Sequence, residues 1–350
     1  MNAPKNIHVR LPNWVGDLVM CTPALRALRH GFPDAKITVE GRSYMRGLME
    51  PLETVDDFLE VPSPERGLRP LLKRMRRLRA GKFDLSLLMP DSQSSAMGPF
   101  LARIPRRFGY APDLARRILM TEALPPPTEA GKRVPISMIE RYLQLTRHLG
   151  CEDQGDAMTL VVTDDSRKTV ATRLAEHGID QDQPILLCIT GASYGASKMW
   201  PAEYFAEAAD VLGKRHGLRT VLAPGPGEES TGSQVGEHMH EPCTVLMDPV
   251  LNLAEMAALV ERARVVISND TGPRSMAVAL GIPCVVPFGP TDRRYTNHHL
   301  ENQTLLSEDV DCAPCGLQTC PIDHRCMRNL LPERIIEATD AYLTAERVTP

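Results

Sequence analysis

Five clusters of residues in this 350-residue chain have the types and spacing that chemistry needs. Gly16-Asp17 lies between a strand pattern and a helix pattern. A carboxylate there can take a proton from an incoming hydroxyl, or it can simply cap the helix. Asn269-Asp-Thr-Gly-Pro-Arg-Ser has the same placement. There, exposed backbone N–H groups and the positive end of the helix dipole favour an anion, and Gly272 permits its close approach. An ordinary turn uses the same residues. In Gly191-Ala-Ser-Tyr-Gly-Ala-Ser-Lys198-Met-Trp200-Pro, small residues such as Gly191 and Ser193 flank a lysine that can neutralise a departing diphosphate. The alternative for Lys198 is the usual solvated ammonium. In Pro224-Gly-Pro-Gly-Glu-Glu, Glu228 or Glu229 can accept hydrogen bonds from ribose hydroxyls, or close a solvated turn. Neither a Walker A loop nor Gly-x-Gly-x-x-Gly follows the first strand, which argues against kinases and dehydrogenases.

The fifth cluster is Cys312, Cys315, Cys320 and Cys326, in the pattern C-x2-C-x4-C-x5-C with His324 inside it. The first pair has the chelating spacing of structural zinc sites, and an iron–sulfur cluster fits the same ligands. Four reduced cysteines or disulfides in a surface loop are the alternative. The other five, Cys21, Cys151, Cys188, Cys243 and Cys284, read as small buried residues.

Positioning these groups takes two domains, because 350 residues exceed what one core usually holds. With 43% hydrophobic and 24% charged residues the chain is globular, and a net charge of −4 gives no overall attraction to nucleic acid. No stretch reaches the roughly 20 apolar residues of a membrane span. The N-terminus runs straight into Ile7–Leu11 without a signal-peptide pattern, which predicts a cytoplasmic chain with mostly reduced thiols.

The pattern predicts strands at 7–11, 36–40, 55–61 and 83–89, with one helix running through Leu18, Ala24, Leu25 and Leu28, a basic helix within 66–82, and a helix at 137–149. A fresh series follows: helices at 164–177, 202–216, 254–262 and 275–280 alternate with strands at 185–189, 220–223, 265–268 and 284–288. Alternation of this kind means parallel sheets, with ligands at the carboxyl ends of the strands. The expected division is a first domain at 1–163, a second at 164–335 that includes the cysteine cluster, and a C-terminal helix at 336–350 packing back on the first domain.

Leu11-Pro-Asn-Trp-Val-Gly-Asp-Leu-Val-Met-Cys-Thr-Pro-Ala-Leu-Arg-Ala-Leu, Ser197-Lys-Met-Trp-Pro, Asn269-Asp-Thr-Gly-Pro-Arg and Phe288-Gly-Pro-Thr-Asp, in this order, resemble glycosyltransferase family 9, the lipopolysaccharide heptosyltransferases. The likeness spans nearly the whole chain, and the opening segment most resembles the heptosyltransferase II branch. It implies a GT-B fold: two Rossmann-like α/β domains facing each other across a cleft, with acceptor binding by the first and ADP-sugar binding by the second. It also implies ADP-heptose as donor, the lipid A–inner core as acceptor, and no metal required for transfer. By matching positions, Asp17 is the general base that helps an acceptor hydroxyl invert the anomeric centre, and Lys198 lies near the phosphates. Glu228 meets the ribose and Leu251 the nucleoside, and Asp270, Thr271 and Gly272 form the diphosphate motif. Asn13, Ser92 and Ser94 lie on the acceptor side. Ser275 stands where many members carry histidine, so it can donate a hydrogen bond but brings no positive charge; Arg274, Arg293 and Arg294 are candidates to supply that charge.

The basic segment 66–82 suits anionic headgroups or inner-core phosphates, and so peripheral contact with the cytoplasmic face of the inner membrane; a solvated helix face is the alternative. Other readings are a family enzyme with another ADP-sugar or a protein acceptor, a weakened nucleotide-binding or scaffold protein, and a sugar-nucleotide epimerase.

Overall fold

The computed structural model describes residues 3–62, 67–129 and 131–345. The chain divides into two compact units, Met1–Val161 and Val162–Pro350. Arg66 of the basic segment and residues 346–350 of the C-terminal segment lie outside the described residues.

In the first unit β1 (Asn6–Arg10), β2 (Lys36–Gly41), β3 (Asp57–Glu60), β4 (Leu85–Leu88), β5 (Arg106–Tyr110) and β6 (Glu122–Leu124) form one sheet in the order β3-β2-β1-β4-β5-β6. Every neighbouring pair is parallel. Ile7, Val9, Leu85 and Leu87 are fully buried, as strands covered on both faces must be. Right-handed crossovers and the reversal of order at β1 and β4 put the helix after β1 on one face and those after β3, β4 and β5 on the other. A two-stranded antiparallel hairpin, β7 (Thr128–Glu129) with β8 (Lys132–Arg133), follows.

The single helix expected after β1 is two, Val15–Met20 and Thr22–Gly31. Pro23 occupies the first turn of the second, where its missing N–H breaks no intrahelical bond, and Cys21 closes one helix and opens the next.

The second unit repeats the plan with β9 (Ile185–Ile189), β10 (Arg219–Leu222), β11 (Cys243–Val245), β12 (Val265–Ser268), β13 (Cys284–Pro287) and β14 (Gln303–Leu306), in the order β11-β10-β9-β12-β13-β14. All of these pairs are parallel too. Its core gathers Leu186, Trp200, Phe205, Leu212 and Ile267 with Met327, Leu330 and Ile335 from the chain's end. The C-terminal helix is therefore corrected from the sequence expectation. It spans Pro332–Thr344, buries Ile335 and Ile336, and packs on the helix Ala202–His216 of the second unit. Asp340 fastens it by accepting from His216 at 2.7 Å and pairing with Arg215.

The first unit carries a charged network inside its core. Glu40 on β2 is fully buried and accepts from Arg74 Nε at 2.6 Å, Arg74 Nη2 at 2.5 Å and His8 Nε2 at 3.2 Å. With the His8 Nε2 proton given to Glu40, Nδ1 accepts from the Ser86 hydroxyl at 2.8 Å. Burial pushes the Glu40 carboxyl up, but the Arg74 charge and the bonds from His8 outweigh it and hold Glu40 well below the carboxylate range. Burial lowers His8, keeping the ring neutral despite its bond to Glu40.

Both groups have pKa values depressed by folding, so each contributes stability above its unfolded value and loses it as pH falls, His8 below about 6.5 and Glu40 below about 4.3. Thermal melting is expected to fall progressively from pH 6.5 to pH 5. His8→Gln should shrink that slope; an equal slope in the variant would show that His8 does not set it.

Candidate active site

The donor-side groups cluster where β9, β12 and β13 end. Asn269, the first residue after β12, is fully buried and stitches two loops together. Its Nδ2 donates to the Thr190 carbonyl at 2.7 Å, and its Oδ1 accepts from the Trp200 backbone N–H at 3.0 Å. The Trp200 indole N–H donates to the Leu330 carbonyl at 2.8 Å, anchoring the far end of the loop in the core.

Asp270 then meets three donors: Lys198 Nζ at 2.6 Å and Thr291 Oγ1 at 2.8 Å on Oδ2, and Arg274 Nη1 at 2.7 Å on Oδ1. Its side chain is 10% exposed and that of Lys198 is 12%. Burial raises the Asp270 carboxyl, but the charges of Arg274 and Lys198 and the bonds from Lys198 and Thr291 reverse this and hold it below the usual range. Lys198 also donates to the Asp270 carbonyl at 3.1 Å and lies 4.9 Å from the Tyr194 ring centre. Two cations around one carboxylate leave a net positive charge, which suits a diphosphate.

The helix Gly272–Ala279 starts here, with Thr271 at its N-cap. Thr271 Oγ1 is buried, makes no cap bond and has no hydrogen-bond partner among the described residues. An orphaned hydroxyl at a helix N-terminus is where an anionic ligand completes the hydrogen bonding. Ser275 lies half-buried one turn further along.

The two glutamates have different surroundings, and glycine makes room for the first. A Cβ on Gly191 would stand 1.8 Å from Glu228 Oε2, and one on Gly225 would stand 2.9 Å from it. Glu228 thus lies across both loops, accepting from Ser193 Oγ at 3.2 Å and from the Gly225 N–H at 3.3 Å. Glu229 caps the exposed Gly227 N–H instead, at 3.2 Å. Leu251 is buried just before Asn252, whose side chain opens a capping box with Glu255.

Arg274, Arg293 and Arg294, the candidates to replace a histidine charge, each have partners within the protein. Arg274 is buried and spends its donors on Asp270, Gln303, Thr296 Oγ1 and the Thr296 carbonyl. Arg293 bonds the Leu305 carbonyl and Ser307, and Arg294 pairs with Asp292. Arg274 therefore orients Asp270 rather than reaching for a ligand.

The segment 312–326 packs onto the Lys198 loop. The carbonyl of Gly316 accepts from the Tyr194 hydroxyl at 2.5 Å, that of Leu317 from Ser197 Oγ at 2.5 Å and that of Gln318 from the Ser197 N–H at 3.0 Å. His324 Nε2 donates to the Ser197 carbonyl at 2.8 Å. All nine cysteines are free thiols. Burial first, then the neighbouring Cys312, Cys320 and Cys315, pushes Cys326 up to about 11, so the four thiols share one neighbourhood. Yet among the described residues no three of His, Cys, Asp or Glu are placed to hold one metal ion. The segment braces the loop that carries Lys198.

In the first unit Asp17 lies in the first turn of the helix Val15–Met20, whose N-cap is Trp14, so Asp17 is not the capping residue. Its charge reaches Tyr142, whose hydroxyl is raised well above its ordinary value by burial and then by Asp17. Asn13 is held by Arg10 Nη2, which donates to its Oδ1 at 2.9 Å, and by Tyr44, whose hydroxyl donates to its carbonyl at 2.7 Å. Ser92 caps the helix Gln93–Leu101 and lies 3.2 Å from the Ser94 hydroxyl. Asp91 was not among the expected contacts. It pairs with Arg141, its Oδ1 is buried without a hydrogen-bond partner among the described residues, and its charge, like that of Asp17, reaches Tyr142.

Two doubly wound α/β units, the second with a cationic anion site at its strand ends, make the GT-B fold of sugar-nucleotide glycosyltransferases. The chain belongs to glycosyltransferase family 9 (heptosyltransferase), whose model matches residues 71–325. It is 25% identical over 351 residues to lipopolysaccharide heptosyltransferase 2 of Salmonella typhimurium, covering 96% of this chain and 98% of that one. Among solved structures it superposes on a family 9 glycosyltransferase from Veillonella parvula (TM-score 0.81, 22% identity, 97% of each chain). It also superposes on the ADP-heptose heptosyltransferase II of E. coli (TM-score 0.79, 22% identity, 97% of this chain and 98% of that one).

Removing one member of a buried ion pair costs about 3 kcal/mol or more when it strands a charge. Asp270→Asn strands both Lys198 and Arg274, whereas Lys198→Met leaves Asp270 with Arg274 and Thr291. In urea unfolding, Asp270→Asn is expected to be clearly the more destabilising; equal losses would contradict the central role given to the carboxylate.

Proposed function

We propose that this glycosyltransferase moves heptose from ADP-heptose to the inner core of lipopolysaccharide, with inversion at the anomeric carbon. The observation that carries this reading is the assembly of Lys198, Asp270 and Arg274 beside the unpartnered Thr271 hydroxyl, a site built for a diphosphate. Relatives that it matches over 96% of its length bear the name of lipopolysaccharide heptosyltransferase 2.

In this reading an acceptor hydroxyl gives its proton to Asp17 as its oxygen bonds to the anomeric carbon. The bond from that carbon to the diphosphate oxygen breaks on the opposite face, and ADP leaves with the electron pair. Lys198 and the N–H groups of the helix Gly272–Ala279 stabilise the charge that grows on the departing phosphate. Glu228 and Ser193 position the ribose, Leu251 packs against the nucleoside, Ser275 donates to phosphate, and Asn13, Ser92 and Ser94 face the acceptor. A lipid-linked acceptor sets the enzyme at the cytoplasmic face of the inner membrane. No helix among the described residues is long and apolar enough to cross it, so the contact is peripheral in this reading.

The test is transfer from ADP-heptose to heptose-free and monoheptosylated lipid A acceptors. Wild type should transfer, with a preference that identifies the acceptor. Asp17→Ala should lose about a hundredfold or more in kcat while still binding ADP. Undiminished turnover by the variant would remove Asp17 from the mechanism, and measurable ADP binding without any transfer would overturn the choice of substrates.

A further inference from the structure

Three helices of the first unit, Leu68–Ala80, Gln93–Leu101 and Leu114–Leu119, follow β3, β4 and β5 in turn. Their crossovers run in one direction across the sheet, so right-handedness lays all three on the same face. The first packs on the second and the second on the third. Inward they present Arg74, Leu78, Ser95, Ala96, Arg116 and Leu119, all buried.

The outward side is unusual in two respects. Leu68 and Leu72 on the first helix, and Leu114 and Ile118 on the third, are exposed, with Leu68, Leu114 and Ile118 at 71%, 75% and 65%. Each pair is spaced i, i+4 and so shares one helix face. Phe100, at the end of the second helix, is exposed between them in the sequence of the layer. The second feature is charge. The three helices contain no acidic residue, and Arg69, Lys73, Arg76, Arg77, Arg79 and Arg117 are exposed on them. This concentration of cations occurs in a chain whose net charge is −4.

We infer that this three-helix layer docks the enzyme on an anionic lipid bilayer, with the leucines and isoleucine entering the headgroup region and the cations meeting the phosphates. Exposed apolar side chains set among basic residues are the composition of interfacial membrane-binding surfaces. The competing occupants fit less well. A second copy seated through the same face brings cations against cations, and a nucleic acid offers nothing to the Leu114 and Ile118 tips. The overall negative charge repels the rest of the molecule from an anionic surface, so the layer also sets the orientation. The inference rests on the lipid-linked acceptor of the reading above, and adds the surface that brings the enzyme to it.

The test is co-sedimentation of the full chain with phosphatidylcholine vesicles and with vesicles containing phosphatidylglycerol, with no sugar nucleotide or acceptor present. Binding should be confined largely to the anionic vesicles and should weaken with added salt. Each basic side chain near such a surface is worth about fivefold in partitioning. Lys73→Glu/Arg76→Glu should reduce partitioning by about twenty-fivefold or more and, separately, Leu114→Ser/Ile118→Ser by roughly tenfold, with melting temperatures unchanged because these side chains are exposed. Transfer to a water-soluble, deacylated acceptor should be the same in both variants as in wild type. Absence of wild-type binding, wild-type binding by the Leu114/Ile118 variant, or a dimer in solution that either variant dissolves would each overturn the proposal. Loss of transfer to the soluble acceptor by wild type would instead strike the functional reading and leave the docking result to stand by itself.

Discussion

Asp270 is the constraint around which the second unit is arranged. A carboxylate this deeply placed is tolerable only when cations and hydroxyls surround it, and the chain supplies them from three directions: Lys198 from the loop after β9, Arg274 from the next helix and Thr291 from the loop after β13. Each contact fixes a different segment relative to β12. The lysine cannot wander, because its partner is immobile, and the helix that starts at Gly272 is held at its first turn by its own Arg274. The positive surplus around the carboxylate is therefore fixed in place by the fold.

Glu40 plays a comparable part in the first unit, away from any exposed surface. Through Arg74 it is linked to the carbonyls of Ser94 and Ser95, at 2.9 Å and 3.1 Å, and so to the first turn of the helix after β4. Arg10 bonds the Glu40 carbonyl at 3.1 Å and extends to Asn13, in the loop after β1. Arg116 adds bonds to the Pro90 carbonyl and to Ser95 Oγ. The loop that carries Asn13 and the helix start that carries Ser92 and Ser94 thus hang from one buried acid and a set of guanidiniums. Arginine suits this work because its fork of donors can satisfy several carbonyls at once.

What could be read in advance followed the strength of local signals. Strands β1, β9 and β12 are apolar runs ended by turn residues, and their positions emerge from the sequence nearly to the residue. The strand β5 does not, because Arg-Arg-Phe-Gly-Tyr looks polar until Arg106 is seen paired with Glu122 of the adjacent strand. The loops after β9 and β12 were legible as strand-to-helix turns because Gly, Thr and Asp punctuate the chain between an apolar strand and a helix. Nothing local in the sequence distinguishes a cation that meets a ligand from one that holds its neighbour, as Arg274 holds Asp270. The different surroundings of Glu228 and Glu229 depend on how closely two glycine backbones approach one carboxylate, which is a tertiary fact. The pairing of Asp91 was illegible for the same reason, since its partner Arg141 lies fifty positions away in the chain. The cysteine spacing carried a real signal of proximity.

The brace on the Lys198 loop is made almost wholly through main-chain oxygens, those of Gly316, Leu317 and Gln318. Carbonyl groups are common to every residue, so apart from His324, whose ring donates to the Ser197 carbonyl, the side chains of this stretch can change without loosening the lysine. The burden of specificity falls on the other partner. Gly195, at φ 155°, passes so close that a Cβ there would lie 2.3 Å from the Gln318 carbonyl oxygen, and Ser197 must keep its hydroxyl. An exchange of the 312–326 segment between distant homologues should accordingly be far easier to accommodate than a single added methyl at position 195. The chain can diversify its outer loop while its chemistry stays where it is.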